Sequence, residues 1–409
     1  MASSKTGVQI PAPLHRPGDR PNFDHLDIPQ AGGLPKPDIS ANASDLKDLA
    51  YGLVRVLNHN HSAIGDWDPY LDPKSLLKGL KTMVLTRAYD DRMMKMQRTK
   101  RLSFYMKCLG EEAVAIAGAH ALREDDMLFP SYRQQGALIY RGADLVDMMC
   151  QCISNSRDNL LGRQLPIHYA RKDLNWFSVS GNLGTQFPQA VGWSMASNLK
   201  GNDNIACSWV GDGTTATGDF HSACTLASTY NAPTILNVVN NQWAISTHES
   251  FASGAAESFA AKAIGYGIPG IRVDGNDYLA VYAVTKWAAE RARAGHGSTL
   301  IETFTYRGEA HSTSDDPSRY RPADEWKSWP LGDPVERLKS FLIVNGDWSE
   351  DEHSDWEDEC KEEVTKAWKE AISYGTLEEG PHAPTQTMFE DVYADQPWHL
   401  RRQRQALGI

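Results

Sequence analysis

Residues 205–243 read IACSWVGDGTTATGDFHSACTLASTYNAPTILNVVNNQW. Two short apolar runs, 205–210 (IACSWV) and 233–239 (PTILNVV), each end in a polar signature. The first ends in Gly211-Asp212-Gly213 and the second in Asn240-Asn241-Gln242-Trp243. The stretch 217–230 between them reads as a helix. Apolar strands joined by a helix imply a parallel sheet covered on both faces. Ligands of such sheets bind beyond the carboxyl ends of the strands, where both signatures fall.

The alternation continues outward from this centre. A strand is expected at 270–273, a helix at 277–294 and a strand at 299–305 (TLIETFT). Upstream, 74–99 carries Leu76, Leu77, Leu80, Met83, Val84, Leu85, Met93, Met94 and Met96 at largely helical spacing, which reads as core packing. Further helices are expected at 110–122, 144–154 and 186–199, and charged helices at 333–345 and 350–374. The predicted architecture is α/β. Residues 1–73 form a Pro-rich arm and a small irregular segment, 74–330 a cofactor-binding domain, and 331–409 a helical segment.

The arm holds seven prolines, Pro11 to Pro37, and cannot be helical. It reads either as disordered or as an extended strap along a partner subunit, with Leu14, Phe23, Leu26 and Ile28 as apolar anchors.

Composition removes several classes. A formal net charge of −11 argues against nucleic acid as the main partner. No run approaches the ~18 apolar residues of a membrane span. Neither a secretory signal nor an acid-poor transit peptide is visible. The expected compartment is a bacterial cytoplasm, or a mitochondrial matrix after removal of a transit peptide. The six scattered cysteines read as free buried thiols.

Each signature alone is a turn. Together, with 26 residues between them, they suit a diphosphate held through a divalent metal. Mg²⁺ wants six oxygens, and a diphosphate supplies only some. Asp212 offers a carboxylate, Asn241 an amide oxygen and Trp243 a main-chain carbonyl. Gly211 and Gly213 are expected to let the backbone approach a phosphate without a Cβ clash. Thr214 and Thr215 add hydroxyls, and the following helix is expected to aim its free N–H groups at the diphosphate. A nucleotide-binding module would need a GxGxxG or GxxxxGK[ST] loop after the first strand, and neither is present.

The chain resembles the α subunit of the branched-chain 2-oxo acid dehydrogenase E1 component, a thiamine-diphosphate enzyme. The resemblance spans roughly 75–400. It rests on RLSFYM (101–106), LGEEAV (109–114), SYRQQG (131–136), GRQLPIHY (162–169), TQFPQAVG (185–192), the central segment, IRVDGND (271–277) and HSTSDDPSRYR (311–321). It implies that Tyr132 and Arg133 bind the cofactor, Arg133 through the diphosphate. Gly181 and Leu183 would lie near the cofactor, Leu183 at its pyrimidine–thiazolium region. Ser180, Asn182, Thr185 and Gln186 match a monovalent-cation (K⁺) site, or else cap the following helix.

His311, otherwise a loop histidine, matches one that contacts diphosphate and serves acyl transfer, by bonding an oxyanion or moving a proton. Ser312 matches a serine phosphorylated in some relatives. Arg319, Tyr320 and Arg321 are candidate anchors of this loop through Asp315 or Asp316. Phe104 and Tyr105 read as pocket or core aromatics.

Two departures stand out: Val239 replaces a family arginine, and the metal carboxylate is Asp212 rather than Glu. The resemblance further implies oxidative decarboxylation of branched-chain 2-oxo acids and acyl transfer to a lipoyl group on an E2 acyltransferase. No second α/β domain with a Glu for the pyrimidine is evident, so an E1 β subunit is expected to complete the site in an α2β2 assembly. Rival readings are a pyruvate dehydrogenase α subunit and a non-catalytic cofactor-binding subunit.

Overall fold

The computed structural model describes residues 11, 13, 15–254 and 257–409. Its centre is a five-stranded, all-parallel sheet. The strands are β1 (Met127–Phe129), β2 (Ala206–Gly211), β3 (Thr234–Asn240), β6 (Gly270–Asp274) and β7 (Thr299–Phe304), in the order β1-β2-β3-β7-β6. Two short strands, β4 (Trp243–Ala244) and β5 (Thr247–His248), form a hairpin just past β3.

The apolar runs are strands because both of their faces are buried. All seven residues of β3 are buried. Ile235 and Val239 face a core built with the helices Pro73–Arg98, Glu112–His120 and Tyr278–Arg293. Leu236 and Val238 face the opposite core, with Gln186–Leu199 and Gly218–Thr229. Val239 points into the first core and is 2% exposed. It therefore cannot take over the phosphate contact of the arginine it replaces.

Register sets the site. Gly211 of β2 lies opposite Val239 of β3, which lies opposite Thr303 of β7. The three strands end at one level, so the loops after Gly211, Asn240 and Phe304 emerge side by side.

Several expectations change. The three-residue β1 was not foreseen. The helix expected at 217–230 is present as Gly218–Thr229, and a 3-10 turn, Asp212–Ala216, which was not foreseen, separates it from Gly213. Phe23, Leu26 and Ile28 pack on this chain's own Leu53, Trp243, Phe304, Tyr306, Trp329 and Leu331 rather than waiting for a partner. Leu14 lies outside the described residues. Arg55 donates to the Pro29 carbonyl (2.7 Å) and Trp287 Nε1 to that of Pro37 (2.9 Å), pinning the arm to the domain. Met83 and Met93 are fully buried in the chain's own core, as the core-packing reading of this helix expects, while Met94 is partly exposed. Among the described residues no helix is long and apolar enough to cross a membrane.

Candidate active site

The turn after β2 presents Asp212 almost fully buried, at 2% exposure. Its Oδ1 accepts from the Gly213 amide (2.6 Å) while Oδ2 has no partner. Burial raises its carboxyl to about 7, and Glu249 adds to the shift against the hydrogen bond from Gly213. A buried carboxylate oxygen without a donor is costly, and a cation is the partner that removes the cost.

The Asn pair divides its roles. Asn240 ends β3 and its Nδ2 donates to Glu302 inside the sheet (2.8 Å). Asn241 turns toward the site. Its Nδ2 donates to Glu111 (2.7 Å) and its Oδ1 accepts from the Trp243 amide (3.2 Å). The backbone here is unusual: Gln242 (φ 74°) and Ile245 (φ 55°) both occupy the left-handed region. The Trp243 carbonyl accepts from Arg307 (2.8 Å), which leaves it one lone pair. Among the described residues no three His, Cys, Asp or Glu side chains could hold a metal together. A cation at Asp212 must therefore draw on amide, carbonyl and ligand oxygens.

The two glycines differ. Gly211 has φ −77° and open space where a Cβ would stand. Gly213 does require its missing side chain, since a Cβ there would lie 2.5 Å from the Ala244 Cβ. This contact seats the Asp212 turn on the β4–β5 hairpin. The Thr215 hydroxyl donates to the Asp212 carbonyl (2.9 Å), so it braces the turn rather than facing outward.

Two guanidinium groups line the same ground. Arg133 is buried, donating to the carbonyls of Lys107 (2.7 Å) and His311 (2.8 Å). Arg307 follows β7, is 1% exposed, and was not singled out from sequence. It donates to the Trp243 and Ile245 carbonyls (2.8 Å each) and to the Tyr320 hydroxyl (2.7 Å). Burial and the charge of Arg133 lower its value to about 10. Between them sits His311, with Nδ1 3.1 Å from Arg133 and 3.5 Å from Arg307. Only a lone pair can face two guanidiniums, so Nδ1 accepts and the proton sits on Nε2. Burial and the two arginines push the imidazole down to about 3. In the chain without cofactor the imidazole is therefore neutral, with Nε2–H left to donate. Tyr132 meets its ring edge-to-face at 5.6 Å.

The His311 loop is held mainly by buried contacts. Arg321, 3% exposed, donates to the carbonyls of Arg307 (2.7 Å) and Glu309 (2.9 Å). The Tyr320 hydroxyl donates to Asp315 (2.6 Å), whereas the Arg319–Asp316 pair is exposed. Thr313 and Tyr105 exchange two bonds, Thr313 N to the Tyr105 carbonyl (3.0 Å) and Tyr105 N to Thr313 Oγ1 (3.1 Å). Tyr105 is fully buried with its hydroxyl on Asp90 (2.7 Å), so it belongs to the core; Phe104 is half-buried. Ser312 is 7% exposed, so the loop must open before an enzyme could modify it.

The loop 180–185 lies against the Asp212 turn: a Cβ on Gly184 would meet Thr217 Oγ1 at 2.8 Å and Thr214 Cγ2 at 3.3 Å. Gly181 packs near His168. Leu183 stands at the rim, 56% exposed. Within this loop Asn182 N donates to Ser180 Oγ (3.2 Å), Thr185 Oγ1 to the Asn182 carbonyl (3.1 Å) and Gln186 Nε2 to the Ser180 carbonyl (3.1 Å). Thr185 makes no side-chain cap bond, and Gln186 Oε1 is buried without a partner. An oxygen-rich loop with an orphaned amide oxygen fits a monovalent cation better than a helix cap.

Comparison with known proteins places the chain in a family. The profile described as dehydrogenase E1 component matches residues 80–379, and that of the 2-oxoisovalerate dehydrogenase E1 alpha subunit N terminal matches residues 7–44. A Pseudomonas aeruginosa protein described as 2-oxoisovalerate dehydrogenase subunit alpha is 54% identical over 402 residues, covering 98% of each chain. The human mitochondrial subunit alpha is 39% identical over 407 residues, covering 98% of this chain and 90% of its own. A mitochondrial subunit alpha 2 of Arabidopsis thaliana is 40% identical over 384 residues, covering 93% and 80%. The chain belongs to the dehydrogenase E1 component family, among its 2-oxoisovalerate dehydrogenase alpha subunits.

Proposed function

We propose that this chain supplies the metal–diphosphate half of a thiamine-diphosphate site for oxidative decarboxylation of branched-chain 2-oxo acids. Membership of the family implies thiamine diphosphate, together with a β subunit and an E2 partner. The observation that carries the finer reading is the meeting of opposite needs in one place. Asp212 holds a buried carboxylate oxygen with no hydrogen-bond donor, while Arg133 and Arg307 converge on His311. An anion bound through a metal answers both.

In this reading Asp212, Asn241 and the second lone pair of the Trp243 carbonyl hold Mg²⁺. Arg133, with Tyr132 beside it, takes the diphosphate; a guanidinium fork matches phosphate oxygens. Arg307 holds the Trp243 and Ile245 carbonyls in place, and Gly211, Gly213 and Thr214 border the phosphates. Ser180, Asn182, Thr185 and Gln186 hold K⁺ and stiffen the loop that carries Gly181 and Leu183. When bound, thiamine diphosphate supplies the carbanion that adds to the keto carbon and the electron sink for loss of carbon dioxide. His311 donates its Nε2–H to developing negative charge while the substrate reacts and the acyl group leaves for a lipoyl group on E2. The exposed rim at Leu183 and Ile245 (56% and 53%) fits a site that the β subunit covers, in an α2β2 assembly.

Substrate class is tested by kcat/KM for 3-methyl-2-oxobutanoate and pyruvate with the β subunit present. The branched acid is expected to be preferred, by about tenfold or more for its added methyl groups. Preference for pyruvate would assign the chain to that acid instead.

A further inference from the structure

Glu111 holds together two groups that the reading above gives separate tasks. It is 2% exposed, at the start of the helix Glu112–His120. Its place is set by the loop 109–111 running beside the end of β7. The Gly308 amide donates to the Leu109 carbonyl (2.9 Å) and Thr305 Oγ1 to that of Gly110 (2.8 Å). Gly110 has φ 91°, and a Cβ there would strike the Tyr306 carbonyl. From this seat one carboxylate oxygen accepts from Asn241 Nδ2 at 2.7 Å and lies 3.5 Å from Arg133 Nε.

We infer that Glu111 is a positioning residue that fixes which end of the Asn241 amide meets the metal and couples that amide to Arg133. The inference rests on the site being a metal–diphosphate site. A primary amide can present either oxygen or NH₂ after a half-turn, and only the oxygen ligates a hard cation. A carboxylate accepts but does not donate, so Glu111 admits only the NH₂. The opposite rotamer would set two oxygens against each other and turn NH₂ toward the Trp243 amide. The oxygen is thereby committed to the 241–243 turn, which faces Asp212. Such partners of a metal ligand commonly change metal affinity about 10–100-fold when removed.

Charge alone acts in the opposite direction. Removing a buried negative charge beside two arginines should, by itself, strengthen binding of an anion. The readout is the ratio of thiamine diphosphate dissociation constants without and with Mg²⁺, measured by calorimetry on the co-expressed α and β chains. In Glu111→Ala this ratio is expected to fall about 10–100-fold, with metal-free binding unchanged or tighter. Glu111→Gln keeps an acceptor for Asn241 Nδ2 and is expected to restore much of the ratio. A wild-type ratio in Glu111→Ala, or Glu111→Gln no better than Glu111→Ala, would overturn the inference while leaving the site reading intact. Absence of any metal dependence in the wild-type assembly would overturn both.

Discussion

Gly213→Ala probes how tightly the two strand-end loops must meet. The added methyl would lie 2.5 Å from the Ala244 Cβ, whereas carbon atoms in contact sit about 3.5–4.0 Å apart. The Asp212 turn and the β4–β5 hairpin must then separate by roughly 1 Å. Overpacking of this kind costs about 1–3 kcal/mol of stability, so the variant should fold. Metal ligation tolerates only about 0.2 Å of error, and a 1 Å misplacement can cost about a hundredfold. The expected result is a roughly hundredfold loss of Mg²⁺-dependent thiamine diphosphate affinity, about 2.8 kcal/mol. The control is Gly211→Ala, which meets no protein atom within 4 Å. Its unfolding midpoint without cofactor should equal wild type, and any loss of affinity would report a ligand beside Gly211. Isothermal calorimetry on the co-expressed assembly reads both variants. Gly213→Ala with wild-type affinity and a wild-type midpoint would refute the argument that this contact sets the site.

Three further outcomes follow from the packing and the charges. Tyr105→Phe removes one of three hydrogen bonds to the buried Asp90 carboxylate, the others coming from Gln135 and the Cys108 amide; urea unfolding should show a loss of about 1.5–3 kcal/mol, and an unchanged midpoint would contradict the assignment of Tyr105 to the core. His311 is held down to about 3 in the folded chain, below the ordinary value of about 6.5. The unfolded chain therefore binds more protons between those values, and the stability His311 contributes is present above about pH 6.5 and lost as pH falls toward 3. The cofactor-free wild type should lose more stability between pH 7.5 and 5.5 than His311→Gln, and parallel curves would count against it. Phe23 packs edge-on to Trp329 (5.1 Å) and Tyr306 (5.9 Å); Phe23→Ala should cost about 2 kcal/mol, below the fully buried range because the ring is half-buried, and no change would return the arm to a partner's surface.

The strands were legible because a parallel strand buried on both faces is apolar along most of its length; 205–210 and 233–239 carry only Ser208, Thr234 and Asn237 as polar side chains. Their polar ends marked the site because backbone and ligand chemistry concentrate where such strands stop. Asp212 and Asn241 could therefore be named as candidates from sequence. Arg307 and Glu111 could not, since Arg307 looks like one more charge in a polar loop and Glu111 like a first-turn acid of the helix expected at 110–122. Their roles exist only because the register brings residues 305–308 beside 109–111 and beside the turn after β3. A charged residue three positions beyond a wholly buried strand was the available hint for Arg307. The two glycines read alike in sequence; only the Ala244 methyl distinguishes them. His311 was a candidate from sequence, but its neutral state, with Nδ1 accepting and Nε2 left to donate, depends on Arg133 from a distant segment and on Arg307. The arm read either as disordered or as a strap along a partner, yet Phe23, Leu26 and Ile28 close on a cluster of the same chain that includes Trp329 and Tyr306.

The central claim is that this chain carries the metal–diphosphate half of the site. Its most direct test is a calorimetric titration of thiamine diphosphate, with and without Mg²⁺, into the co-expressed α and β chains, wild type beside Asp212→Ala. The account predicts strong metal-dependent binding in the wild type and loss of that dependence in the variant, with the assembly still folded. Equal metal-dependent binding by Asp212→Ala would contradict it.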